Sequence, residues 1–274
     1  MTRRPGAIAV GATWAALLAC ATSSGTSPRG ASGASPEGTP APGTADVEAS
    51  FAQAEGLYHD GRNPEALAML TSIAERPGLA APERVRALTD RGVIEAEVGQ
   101  LDTAEESLGG AIAASAGGAA RPYVAKARFY LGEIARTRFE AAPLDPSRGD
   151  ADELARALEA KASLLLVAQD RYLATMSVGD APWGVAAGTR IGELYEELRR
   201  DMIHAPLPPQ LAGDAVEAYR AALEEHVRVL VTKAIEVYEA TLRVARERDV
   251  DTAFVPQLEE GLRRMHRVLG EPAE

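Results

Sequence analysis

An all-α fold built from stacked helical hairpins is what this sequence predicts, and three observations predict it. A glycine-centred hairpin pattern occurs twice in register, first at Gly61 (HDGRNPEALAMLTSI) and again at Gly99 (EVGQLDTAEESLGGAI). Alanine is abundant while aromatics are only 5% of the chain, which favours closely packed helices over sheet. Runs alternating with period two and rich in Val, Ile and Thr are absent, whereas apolar residues recur at helical spacing from residue 47 onward. With 274 residues, 46% of them hydrophobic, the chain is long enough to bury a sizeable core.

Each part of the repeated pattern has a physical reason. A glycine after a helix takes the left-handed conformation that ends it at little steric cost. Asn63 and Asp102 are then expected to cap the following helices, with Pro64 at the first helical position and Glu105 at capping-box spacing from Asp102. Ala66 and Ala104 are small enough for two helices to approach, and Leu70 and Leu108 fall one turn later on the same face. Ile73 and Ala111 complete the register. The pattern resembles the tetratricopeptide repeat, a helix–turn–helix unit of about 34 residues. The offset here is 38 residues, with the insertion in the linker ERPGLAAPER. The resemblance implies a tetratricopeptide-like α-solenoid of helical hairpins, and the apolar spacing further along gives it a C-terminal half of long helices.

Taken in order, residues 1–19 read as a secretory signal: Arg3 and Arg4, then an apolar stretch too short to span a bilayer. Its end, Leu17-Leu18-Ala19-Cys20, resembles the lipobox of bacterial lipoproteins, which implies cleavage before Cys20 and acylation of its thiol, palmitate included. Removing the two arginines makes an already acidic chain (net −11) more so. Cys20 is the only cysteine, so no intrachain disulfide is possible. Residues 20–46 (ATSSGTSPRGASGASPEGTPAPGTA and its flanks) cannot bury enough apolar surface to offset conformational entropy and read as a disordered tether.

Residues 47–140 are expected to hold the repeats, with helices at 47–60, 63–76, 82–98 and 102–115 and a third unit from Arg121-Pro122 carrying Leu131-Gly132. Residues 141–274 continue the solenoid as degenerate repeat and long helices. A helix from Ala151 to Met176 carries the stripe Leu154, Leu158, Leu165, Tyr172 and Met176. A fourth unit starts at Pro182-Trp183, with Ile191-Gly192 and Tyr195 in the repeat pattern and Gly188 where the consensus has tryptophan. The segment APLPPQL breaks the chain before a long helix over 211–248 and a last one over 252–269. From Lys161 to Ala245 the sequence resembles a scaffold segment of envelope repeat proteins from myxobacteria and related predatory or gliding bacteria, some belonging to the adventurous gliding machinery. The segments that carry this resemblance are KASLLLVAQDRYLATMSVGDAPWGVAAGTRIGELYEELRRDMIHAPLPPQL, AYRAALEEHV and KAIEVYEATLRVA.

Catalytic chemistry is not indicated. The histidines (His59, His204, His226, His266) are far apart and belong to no metal-ligating motif, so neither a metal nor a cofactor is expected. No nucleophile elbow or phosphate-binding glycine loop is present. The pairs Glu196-Glu197, Glu224-Glu225 and Glu259-Glu260 read as solvated helix faces. The acidic balance excludes nucleic acid, whose phosphates need clustered Lys and Arg, and no small-molecule substrate is indicated. In the repeat family the first helix of each hairpin lines a groove, and transfer by register puts Phe51, Glu55, Tyr58, Arg86, Val93, Lys126, Phe129, Glu133 and Arg136 on that inner face. A mixed-charge face with aromatic anchors suits a peptide or partner helix. Phe51 and Phe129 read equally well as packing between repeats, and Trp183 as a plug before the fourth unit. The expectation is therefore a non-enzymatic, lipid-anchored scaffold at the outer membrane, facing the periplasm and binding envelope proteins or peptides. The rival class is an envelope hydrolase or ligand-binding receptor with a site assembled from dispersed residues, marked by a deep pocket holding His204 or His226 beside two carboxylates.

Overall fold

The structure, a computed structural model, describes residues 44–115, 120–144, 151–205, 207 and 212–270. The expected signal sequence, Cys20 and nearly all of the tether lie outside these residues, as do Pro206, Pro208 and Pro209. All regular secondary structure among the described residues is helical: α1 (Thr44–His59), α2 (Asn63–Ala74), α3 (Ala81–Glu97), α4 (Leu101–Ala114), α5 (Arg121–Ala141), α6 (Ala151–Met176), α7 (Ala181–His204), α8 (Asp214–Glu247) and α9 (Phe254–Leu269). Successive pairs form four antiparallel-type hairpins, and α9 closes the row against α7 and α8. The first helices of neighbouring hairpins also pack on one another, α3 on α5, α5 on α7 and α7 on α9. This is the arrangement of a tetratricopeptide-like α-solenoid. None of the described helices is long and apolar enough to cross a membrane.

The hairpin turns are built as the repeated glycine predicts. Gly61 (φ 73°) and Gly99 (φ 81°) are left-handed. In both turns the same two hydrogen bonds close the preceding helix. Arg62 N–H donates to the Leu57 carbonyl (2.8 Å) and Gly61 N–H to Tyr58, matched by Gln100 to Glu95 (2.8 Å) and Gly99 to Ala96. The N-caps differ from expectation. Arg62 and Gln100 hold those positions, and neither caps with its side chain. The turn is so tight that only one residue separates the glycine from the next helix in the first copy, so Asn63 is already helical, with Pro64 behind it in the first turn. Asp102 is likewise already helical, the second residue of α4, where its carboxylate favours the helix dipole; it pairs with Arg138 of α5 at 3.1 Å, and Glu105 pairs with the same guanidinium at 2.9 Å. A side-chain cap does occur at Asp180, whose carboxylate accepts from Trp183 N–H ahead of α7. The helix α1 starts at Thr44, before residue 47, with Asp46 in its first turn, where a carboxylate favours the helix dipole.

Packing within hairpins follows one rule from the second unit on: a glycine in the first helix faces a large side chain of the second. Gly92 faces Leu108, Gly132 faces the Tyr172 ring, Gly192 faces Tyr238, and Gly188, in place of the consensus tryptophan, receives Thr241. Ala66, Ala104, Leu70 and Leu108 are all buried. The core is a strip of three linked clusters, one centred on Phe51, Leu70 and Ile73, one on Val85, Leu108 and Ile134, and the largest on Leu165, Tyr172, Leu194, Tyr238 and Leu258. On α6, Leu154, Leu165 and Tyr172 are buried as the stripe predicts, but Met176 is 37% exposed and Thr175 is buried in its stead. Continuing the stripe from Tyr172 by three residues, not four, keeps it facing α5, because 3.6 residues per turn alternate the two steps.

Candidate partner-binding site

A pocket of about 320 Å³ opens between α1 and α3, beside the start of α5. It exists because these two helices, unlike the later first-helix pairs, are not in close backbone contact. Long side chains bridge them instead. Arg86 of α3 lays its guanidinium 4.0 Å from the centre of the Phe51 ring of α1 and pairs with Glu48 at 3.0 Å. At the other end of the helices, the Tyr58 hydroxyl donates to Glu97 at 2.6 Å, and that hydrogen bond raises the Tyr58 pKa above its ordinary value. The pocket floor is apolar, formed by Phe51, Ala54, Leu70, Val93 and Ile94, all buried. Its rim is charged. Asp90 accepts from Lys126 of α5 at 2.8 Å and lies 3.8 Å from Arg86, so Glu48, Arg86, Asp90 and Lys126 form a ladder of alternating sign.

Of the nine residues placed on the inner face by repeat register, Phe51, Glu55, Tyr58, Arg86, Val93 and Lys126 line this pocket. The other three lie further along the row. Phe129 is only 3% exposed and sits in an aromatic cluster, its ring centre 5.2 Å from Trp183, 5.7 Å from Tyr172 and 5.9 Å from Phe254. It packs between repeats, and half-buried Trp183 packs with it at the junction of α5 and α7. Glu133 accepts from the Tyr172 hydroxyl and from Arg190 (3.1 Å). Arg136 pairs with Glu193 at 2.9 Å and Glu140 at 2.6 Å. These last two therefore tie α5 to α6 and α7. Burial and the neighbouring Glu133 carboxylate push the Tyr172 pKa well up, and Tyr238 is raised in the same way beside Glu196. Between the pocket and the aromatic cluster stands Tyr130, whose pKa is pushed up to about 12, chiefly by burial.

Sequence reading missed Asp90 and Tyr123. Both sit on the same helix face as residues it did find, Asp90 four after Arg86 and Tyr123 three before Lys126, and helical spacing alone was the available signal. Glu196 was read as part of a solvated face, yet it accepts from the Tyr238 hydroxyl and from Arg264 (3.0 Å), tying α7 to α8 and α9. The histidines stand apart from the pocket with one exception: His59 is on the rim, 3.7 Å from Glu55. His204 and His226 each turn Nδ1 toward a carbonyl of their own helix, that of Arg200 at 2.7 Å and that of Ala222 at 2.6 Å. Among the described residues no group of three or more His, Cys, Asp or Glu is arranged to hold a metal.

Fold and site together define a helical-repeat solenoid with an apolar-floored, charge-rimmed pocket on its first-helix row. No protein-family model matches the sequence, and no curated protein matches it. Among solved structures, the chain is similar to residues 1–338 of an assembly chaperone of RpL4 (Acl4), at 15% identity over 83% of this chain and 78% of that one, with a TM-score of 0.33. It is also similar to the C-terminal part of a tetratricopeptide-repeat-containing protein from Cytophaga hutchinsonii, at 14% identity over 80% of each chain, with a TM-score of 0.31. Likenesses this distant decide nothing about function, which rests on the chain's own geometry.

Proposed function

We propose that the protein is a lipid-anchored scaffold of the bacterial envelope that binds other envelope proteins through the first-helix row of its first three hairpins. The observation that carries this reading is the pocket between α1 and α3, with buried apolar groups at its base and aromatic and charged groups at its mouth. Recognition of a protein segment needs such a combination, an apolar recess for an anchor and polar groups that fix its orientation. A solenoid also presents an extended surface that a compact bundle does not. Cys20 and the tether support placement on the periplasmic face of the outer membrane, where anchoring raises the local concentration of membrane-bound partners. Membership in a motility or envelope-assembly complex is the finer proposal, supported by the resemblance of residues 161–245.

Site-specific photo-crosslinking in intact cells tests the binding surface. A photoreactive side chain at Tyr58 is expected to trap partner proteins that the same probe at Ala113, on the exposed face of α4, does not. Identical adducts from both positions would overturn the reading. Fractionation with mass analysis tests the anchor: Cys20→Ala should lose the acylated, processed form, whose acyl chains contribute about 0.8 kcal/mol per buried methylene to membrane attachment. A variant that is as membrane-bound as the wild type and has the same processed mass removes the anchor.

A further inference from the structure

We infer that the pocket between α1 and α3 takes a large apolar side chain from a partner segment that carries lysine or arginine next to that anchor. The inference rests on the scaffold reading above and adds the chemistry of the occupant. Its apolar half follows from the floor, where Phe51, Leu70 and Ile94 are at most 5% exposed and only a nonpolar group can be buried against them without losing hydrogen bonds to water. Its cationic half follows from how the rim charges are already spent. Arg86 is held by Glu48 and Asp90, and Lys126 by Asp90, with side chains 23% and 27% exposed. The carboxylates reach solvent where the cations do not: Glu48, even while paired with Arg86, has its side chain 64% exposed, Glu55 on the rim 65%, and Glu97, just beyond the lining where it accepts from Tyr58, is exposed as well. An acidic segment entering the pocket meets these three first and reaches a cation only by breaking an existing pair. A basic segment meets them directly, and Asp90 and Glu48 keep their internal partners while it does. His59 beside Glu55 is the one further basic group on the rim. Complementary charge of this kind sets partner choice and association rate more than raw affinity.

Three fluorescent peptides, each about twelve residues long, test this against the purified full chain by anisotropy. One has a central Phe flanked by Lys, the second replaces each Lys with Glu, and the third replaces the Phe with Ser. The first is expected to bind at least about tenfold more tightly than either of the others, and to weaken as salt rises from about 50 to about 300 mM. A double variant Glu55→Lys/Glu97→Lys, at two exposed positions, should lose that preference and keep its helicity. Equal or better binding of the acidic peptide overturns the inference, as does absence of binding by all three. The photo-crosslink at Tyr58 separates this failure from failure of the scaffold reading. Pocket-specific adducts on acidic or neutral segments leave the scaffold standing and remove the cationic partner, whereas the loss of pocket-specific adducts removes both.

Discussion

Tyr172 lies flat against α5 because Gly132 has no side chain: a Cβ there would come within 2.5 Å of the ring. The hydroxyl at the far end of the same ring reaches Glu133, so one missing methyl group sets both the packing distance and a hydrogen bond across the hairpin. Gly192 and Tyr238 repeat the device, with Glu196 as acceptor. Gly132→Ala is therefore expected to overpack the α5–α6 seam and destabilise the fold by about 1–3 kcal/mol. The control is Gly109→Ala in α4, where nothing lies within 4 Å of the added carbon. Relief of backbone entropy should stabilise that variant by about 0.5–1 kcal/mol. Urea denaturation of the two variants checks this, and stabilisation of both would show that the glycines act through helix propensity alone. The turn glycines Gly61 and Gly99 were legible in the sequence because their job is local, ending a helix within a few residues. The pairing of Gly132 with Tyr172, forty residues away, was not, since nothing near either residue names its partner.

Between elements, polar ties accompany the apolar seams, and the one joining α3 to α4 is nearly sealed from water. Glu95 and Ser107 are 5% and 1% exposed; Ser107 donates to Glu95, and Arg91 stands over both, 3.3 Å from the carboxylate. Burial is the largest influence on Glu95 and raises its pKa above the ordinary 4.5, against the lowering effects of Ser107 and Arg91. In the pH window between those two values the folded state holds a proton that the unfolded chain has already lost. Stability should then fall as pH rises through that window and level off above it. Glu95→Gln, which keeps an oxygen for Ser107 but does not titrate, should flatten that part of the profile. Chemical denaturation of both proteins at closely spaced pH values measures it, and parallel profiles would mean that Glu95 keeps an ordinary pKa. At this scale the helix ends were readable to within a few residues, because Gly, Pro and apolar spacing punctuate them. The pocket was only half readable. Register placed the right faces together, but the separation of α1 from α3, and the choice of Phe129 for packing and Phe51 for a pocket floor, depend on how whole hairpins seat against each other.

Over the whole molecule, the three core clusters meet only through shared helices: α3 joins the first to the second and α5 the second to the third. Such a chain of contacts should lose stability locally when one end is removed, because each repeat is supported by its neighbours and not by a common centre. The C-terminal end offers the sharper test. Helix α9 touches α8 and α7. It covers Tyr238 with Gly261, brings Arg264 to Glu196 at 3.0 Å and adds Phe254 to the aromatic cluster around Phe129. Ending the chain after Asp249 uncovers that face of the largest cluster and leaves Glu196 without one of its partners. Hydrogen exchange followed by mass spectrometry should then show amides of α7 and α8 exchanging at least about tenfold faster, while those of α1 to α4 stay within about twofold of the intact chain. The α1–α3 pocket should keep its peptide preference in the same truncated protein, since no group that lines it belongs to α7, α8 or α9. A uniform loss of protection from α1 to α8 would instead make the solenoid a single cooperative unit, in which the binding end cannot be separated from the capping end.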